Sequence, residues 1–292
     1  LNRFNFTIQL QYNIGEHGGD FIFNIHAAQT RHQTVVRESL YLSQALTPDL
    51  HTDPVTHTRF FRLQAQAGEL TVRYEATVDL DHHLAQPAGV HEVPVARLPS
   101  QVLPYIHPSR YCESDRLSAM AIRLFGELPR GYARVQAVAD WVSANVKFRS
   151  NSSTSSTTAM DTLVDGKGVC RDFAHLMIAL CRGLSIPARF ATGIDYGADP
   201  KLGPTDFHAF VEVYLGDSWY IFDPSGTAIP MGFVRFAVGR DAAEAAFATI
   251  FGEVVGGTNV LQIEAVPNAH GQLVMPQRVT QALSTDREEV RL

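Results

Sequence analysis

From Phe4 to Tyr12 every second residue is apolar: Phe4, Phe6, Ile8, Leu10 and Tyr12 share one face, separated by Asn5, Thr7, Gln9 and Gln11. The same period of two returns from Val72 to Leu80, through Tyr74, Ala76 and Val78. Successive side chains of a strand point to opposite sides, so both runs must lie as strands with one face buried. Weaker strand candidates, DFIFNIHAA and THTRFFRLQAQ, lie between them, set off by GEHGG and AGE. An apolar sheet face has to be covered, and an antiparallel sandwich-like domain over residues 1–95 is the simplest expectation. The histidines scattered there (His26, His32, His51, His57, His82, His83 and His91) show no ligand spacing and read as surface or loop residues.

Pro94, Pro99, Pro104 and Pro108 then interrupt any regular helix, which places a connector at 96–110 and a second domain at 111–292. That second part opens on helical periods. Leu117, Met120, Ala121, Leu124 and Phe125 recur at three and four, with Ser114 or Asp115 as cap and Gly126 as stop. Val135, Val138, Trp141 and Val142 form the stripe of a second helix, in which Trp141 reads as core or as the lining of a cleft. Helices first and alternating strands afterwards make the fold α+β.

The 24 basic and 30 acidic residues are spread without blocks or a Lys/Arg stripe, which argues against nucleic acid as a partner. No apolar run is long enough to cross a bilayer, so no membrane role is expected. The first residues alternate from the start, unlike a secretory signal, and a cytoplasmic location is expected. Three cysteines, Cys112, Cys170 and Cys181, are too few for a disulfide scaffold and form no CxxC pair.

One of them stands out. In VDGKGVCRDFAH two glycines permit a sharp turn or a close approach just before Cys170. Phe173, Ala174, Met177, Ile178 and Cys181 follow at helical spacing, and Gly183 and Pro187 bracket the end. Cys170 is therefore either a small packed residue or a thiol at the tip of a helix, where unpaired N–H groups and the helix dipole lower its pKa. Cys181 lies about 16 Å down the same helix, too far for a disulfide, and reads as core. Arg171 and Asp172 are placed to hold the helix start, and Lys167 either assists a thiolate or is a surface turn residue.

A thiol nucleophile needs a base. DFHAFVEVYLGDSWYIFDP reads as a hairpin with Gly216–Asp217 at the turn, which sets Leu215 opposite Ser218 and Phe210 opposite Asp223. His208 and Asp223 then become diagonal neighbours on one face, the geometry of a base and the acid that orients it. Cys170, His208 and Asp223 are thus candidate catalytic residues. The Cys170 backbone N–H is the first candidate oxyanion donor, with Asn151 and Trp141 both open as the second. Arg171, Asp172, Phe210 and Trp219 are candidates for supporting the site or lining a groove. Zinc uses the same residue types, but no paired spacing supports a metal site, and no EF-hand-like loop is present. No cofactor is expected. The segments 197–206 and 224–232 read as rim loops beside His208 and Asp223.

At these residues the chain resembles the transglutaminase-like superfamily of papain-type fold, and within it bacterial cysteine proteases with an N-terminal β domain. GKGVCRDFAHLMIALCRGLSIPAR is similar to the family's nucleophile block, DFHAFVEVYLGDSW to its histidine block and FDPS to its aspartate block. RYCESDRL and GRDAAEA also look like family signatures, and Phe210 stands where many relatives carry Trp. The resemblance implies a papain-like core and a cysteine peptidase or amidase that cleaves peptide or isopeptide bonds through an acyl-thioester. Relatives also include protein-glutamine acyltransferases, deamidases and non-catalytic binding or scaffold proteins. A peptide, a protein or a small amide is the implied substrate.

Overall fold

The computed structural model describes residues 1–198 and 205–287 of the 292-residue chain. Alternation makes β1 (Asn2–Phe23) a strand of 22 residues whose Phe4, Phe6, Ile8, Leu10, Tyr12 and Ile14 are buried. It is followed by β2 (Gln33–Leu42), β3 (Asp49–Thr52), β4 (Arg59–Ala65) and β5 (Gly68–Leu80), in the sheet order β2-β5-β1-β4-β3. The GEHGG segment, expected to separate two strands, is instead a bulge inside β1, where pairing to β5 and then β4 shifts register. An extra unpaired stretch bends a strand and sharpens its twist. The sheet accordingly curls until the rings of Tyr12 and Phe21, nine positions apart on one strand, are 5.2 Å from each other.

After β6 (His83–Ala85) the proline-bearing connector runs in short 3-10 turns, and its Val102 and Tyr105 are buried beside Tyr214 and Trp219. Helices α1 (Ser114–Phe125) and α2 (Tyr132–Asn145) follow. Next come β7 (Lys147–Phe148), α3 (Ala159–Asp165), β8 (Lys167–Gly168) and α4 (Cys170–Gly183). Eleven of the fourteen residues of α4 are buried, because α1, α2 and α3 pack around it on one side and a second sheet on the other. That sheet contains β9 (Ala188–Asp195), β10 (Phe207–Leu215), β11 (Ser218–Phe222) and β12 (Phe233–Gly239), in the order β12-β9-β10-β11, all antiparallel.

The two segments outside the three main motif blocks meet on α4. Asp241 of GRDAAEA accepts the Tyr111 N–H of RYCESDRL at 2.9 Å. Tyr111 stacks on the His175 ring at 5.0 Å, and His175 Nε2 accepts the Ala242 N–H at 3.2 Å. The other end of α4 is held by Arg182, which donates to the carbonyls of His107, Ala188 and Arg240. These signatures are explained by helix placement.

The short helix α5 (Ala242–Ala245) leads to β13 (Ala248–Gly256) and β14 (Val260–Val266). Both return to the N-terminal sheet and pair with β1 along the edge opposite β5 and β4. The sequence reading assigned residues 248–266 to the C-terminal part; their backbone hydrogen bonds are made to the first strand of the chain. β15 (Ala282–Ser284) pairs with β6, and β16 (Asp286–Arg287) extends the second sheet beyond β11. The cores interlock as well: Ile194, Val234 and Phe236 of the second sheet belong to the apolar cluster of the first. The fold is α+β as expected, but the partner that covers the curled sheet is partly the second sheet.

Phe236 is fully buried, with its ring 5.5 Å from that of Phe6. Phe236→Ala is expected to destabilise the protein by about 3–5 kcal/mol in a single cooperative denaturant transition. A loss below about 1 kcal/mol would show that the shared core does not couple the two sheets.

Candidate active site

The start of α4 is built from the sequence around Cys170. Gly166 closes α3 with φ of 60°, and β8 pairs in parallel with β7, so that Lys167 lies opposite Lys147. Val169, the residue before the helix, has no side-chain acceptor, and the helix start is held from its third residue instead. Asp172 Oδ2 accepts the Val169 N–H at 2.9 Å, one half of a capping box. Gly168 makes room for that carboxylate, since a Cβ there would stand 2.7 Å from Asp172 Cβ. Arg171 pairs with Asp172 at 3.1 Å and donates to Thr154 O at 2.7 Å and Ser153 Oγ at 3.2 Å, which ties the polar loop to the helix start.

Cys170 is partly exposed, whereas Cys112 and Cys181 are fully buried. The backbone N–H groups of Ala209, the residue next to His208, and of Arg171 lie close enough to its sulfur to favour the thiolate. The thiol is not held at low pKa, contrary to the expectation from the helix tip. Burial pushes it up to about 12, the charge of Asp223 adds to this, and the two N–H donors do not compensate.

The register of β10 and β11 is the one read from the sequence. Leu215 faces Ser218 and Val211 faces Phe222, so the next pair outward is Phe210 with Asp223. His208 Nε2 stands 3.6 Å from Asp223 Oδ1, an ion-pair separation longer than a hydrogen bond. Phe210 supports the imidazole from below, with ring centroids 4.4 Å apart. The segment after Asp223, expected as a rim loop, wraps the carboxylate instead. Ser225 N–H and Oγ donate to Oδ1 at 3.1 and 2.5 Å, and Ala228 N–H donates to Oδ2 at 3.0 Å. Burial opposes charge on Asp223, but His208, Ser225 and Ala228 outweigh it and hold the carboxyl below its usual range. Burial likewise opposes charge on His208, yet Asp223, followed by Asp195 and Asp206, outweighs it and raises the imidazole pKa.

Asp195, at the end of β9, was not singled out by the sequence reading. Its Oδ1 is 3.6 Å from His208 Nδ1, on the other side of the ring from Asp223. Trp219 is buried, with the Arg189 guanidinium 4.0 Å over its ring and Tyr105 edge-on at 5.2 Å. Trp141 packs edge-on against Phe125 at 6.3 Å. Asn151 is exposed at φ of 56° on the loop that Arg171 ties down. Most of the 197–206 loop lies outside the described residues. Among the described residues, no group of three or more His, Cys, Asp or Glu is placed to hold a metal ion.

The transglutaminase-like superfamily profile matches residues 118–224, and the profile of the bacterial transglutaminase N-terminal domain matches residues 2–101. A crystal structure of a presumed cysteine protease from Cytophaga hutchinsonii is 36% identical, superimposes with a TM-score of 0.87, and covers 97% of either chain. The chain belongs to the transglutaminase-like superfamily. An uncharacterized protein of Mycobacterium leprae is 27% identical over 198 residues, 64% of this chain and 69% of that protein. The uncharacterized protein YebA of Bacillus subtilis is 23% identical over 185 residues, and the match spans only 25% of its length. Fold and likeness together support a cysteine-dependent hydrolase or transferase of this superfamily.

The three thiols give a direct check. Iodoacetamide is expected to label Cys170 in the folded protein and to spare Cys112 and Cys181, as read by peptide mass mapping. Because burial raises the Cys170 thiol, its labelling rate should keep climbing above about pH 8.5, where an ordinary thiol levels off. A rate already maximal at neutral pH would contradict a thiol whose pKa is raised.

Proposed function

We propose that this protein is a cysteine peptidase or amidase that cleaves peptide or isopeptide amides through an acyl-thioester. The observation that carries the reading is the convergence of Cys170, from a helix start, on the strand residue next to His208, with Asp223 3.6 Å from the imidazole.

His208 takes the Cys170 proton as the sulfur attacks the amide carbonyl, so no standing thiolate is needed. The developing oxyanion faces the Cys170 backbone N–H, which has no intrahelical partner in the first turn. Of the two candidates for the second donor, Asn151 is the one on the loop tied to the helix start. The imidazolium then gives its proton to the leaving amine, and the acyl-thioester remains. Water resolves it to an acid and regenerates the thiol; a primary amine in its place gives a new amide. Asp223 holds the ring and stabilises its cation through the first half of this cycle.

Activity is best sought on a panel of peptide and isopeptide amides, with and without a primary amine acceptor. Cys170→Ala should abolish turnover and His208→Ala should nearly do so. Asp223→Asn should lower kcat/KM by at least about a hundredfold while the fold is kept. The losses should not add, because the residues act as one unit. Turnover surviving Cys170→Ala would overturn the proposal.

A further inference from the structure

We infer that Ser225 is a positioning residue for the base: it occupies the oxygen of Asp223 that faces His208, so that the bond between carboxylate and imidazole stays open at rest. The inference rests on the proposed function only in taking His208 as the base. The arrangement begins in the sequence, where Asp223, Pro224, Ser225 and Gly226 follow one another. Asp first, Pro second and Gly fourth are the residues of a tight turn, and the Gly226 N–H closes it on Asp223 O at 3.2 Å. The turn folds Ser225 back over the side chain two residues before it. Its N–H and its hydroxyl both donate to Asp223 Oδ1, at 3.1 and 2.5 Å. The Ala228 N–H anchors the carboxylate by its other oxygen, Oδ2, at 3.0 Å.

A carboxylate oxygen has two lone pairs, and on Oδ1 Ser225 takes both. The histidine shows the effect. For Nδ1 to accept a proton from Cys170, the neutral ring must carry its hydrogen on Nε2. Nε2 stands 3.6 Å from Oδ1, is buried, and has no hydrogen-bond partner among the described residues. A buried ring nitrogen beside a carboxylate is ordinarily bonded to it; here the acceptor is already used. Thr227 reinforces this. The Ser225 hydroxyl has one hydrogen, which goes to the carboxylate, so in the 2.8 Å contact between the two hydroxyls Thr227 is the donor. A hydroxyl that accepts one bond gives a stronger one in turn.

The other charges around the ring do not replace the open bond. Asp195 of β9 is 3.6 Å from Nδ1 rather than Nε2, and burial pushes its carboxyl towards the neutral form. Asp206, just before β10, adds negative charge. Cys170 of α4 has a thiol whose pKa is raised by burial. Arg235 of β12 turns its guanidinium to Glu212, Asp286 and Thr56 O. Removing the Ser225 hydroxyl frees a lone pair on Oδ1 and leaves the carboxylate charge less dispersed. The imidazolium then gains a direct bond, so His208 must titrate at higher pH. The acid limb of kcat/KM, below which the ring can no longer accept a proton, must move up with it.

The test is to follow the His208 ring by NMR in the intact protein, assigning its signal by its loss in His208→Gln. In Ser225→Ala the titration midpoint should rise by about one pH unit. Ser225→Thr, which keeps a hydroxyl, should return it to the wild-type value, and Thr227→Val should raise it by less than Ser225→Ala does. The acid limb of kcat/KM should be displaced to match. A crystal structure of Ser225→Ala should bring Nε2 and Oδ1 within about 3.2 Å. Should Ser225→Ala not fold, Ser225→Gly removes the same hydroxyl. A midpoint that stays or falls in a folded variant without the hydroxyl, a separation that does not close, or a kcat/KM that drops at every pH with its limb in place would overturn the inference, since Ser225 would then only hold the turn. If the midpoint rises but the wild type turns over no amide, the enzymatic reading fails and the role of Ser225 stands. If the wild type is active and the midpoint does not rise, only the role of Ser225 falls.

Discussion

The pairing register of β10 is the constraint on which the site depends. One face of this strand presents Ala209, Val211, Val213 and Leu215 to the apolar core around α4. The other carries His208, Phe210 and Glu212. A slip of one residue would turn His208 into that core and aim Val211 at Arg189, because strand side chains alternate with a period of two. The register is fixed twice: by the two-residue Gly216–Asp217 turn, and by the full ladder to β9 from Phe207 to Val213. Glu212 adds a third anchor. It is fully buried and meets Arg189 at 2.6 Å and Arg235 at 3.4 Å. Asp286 completes this group, 2.5 Å from Arg189 and 2.8 Å from Arg235. A misregistered strand would leave these charges buried without partners, which costs more than the correct pairing gains.

The same register decides the electrostatics around the sulfur. A half-buried thiol beside a negatively charged Asp223 resists losing its proton. The imidazole among carboxylates resists losing its own. The resting environment therefore disfavours a negative charge on the sulfur. A substrate carbonyl that brings the sulfur under attack geometry supplies what the resting environment withholds, a place for the negative charge to go.

Much of this was legible in the residues and some was not, for reasons that differ. The alternation in β1 and β5, the helical spacing after Cys170 and the parity of the Gly216–Asp217 hairpin are local signals, and each matches the observed element. Asp195 escaped because its register with His208 is set by β9, which is joined to β10 by a long connection, and a long connection fixes no parity. The return of β13 and β14 escaped for a related reason. Val260–Val266 carries an alternating pattern of its own, but which strand receives it is a matter of topology. The pKa of Cys170 could not be read from a helix-tip position because burial, the largest influence on it, is a property of the assembled core. GEHGG was misread as a separator because glycines mark bulges as well as turns.

The pairing of β1 on both edges has a consequence for synthesis. β5 and β4 leave the ribosome within tens of residues of β1, whereas β13 begins 225 residues after β1 ends (248 against 23). At about 5–20 residues per second the far edge of β1 waits roughly 10–45 s for its partners. During that interval a long strand with an apolar face offers unpaired N–H and C=O groups to any neighbouring chain. Until β13 and β14 are made, the nascent chain is exposed to edge-to-edge association that the finished sheet no longer permits.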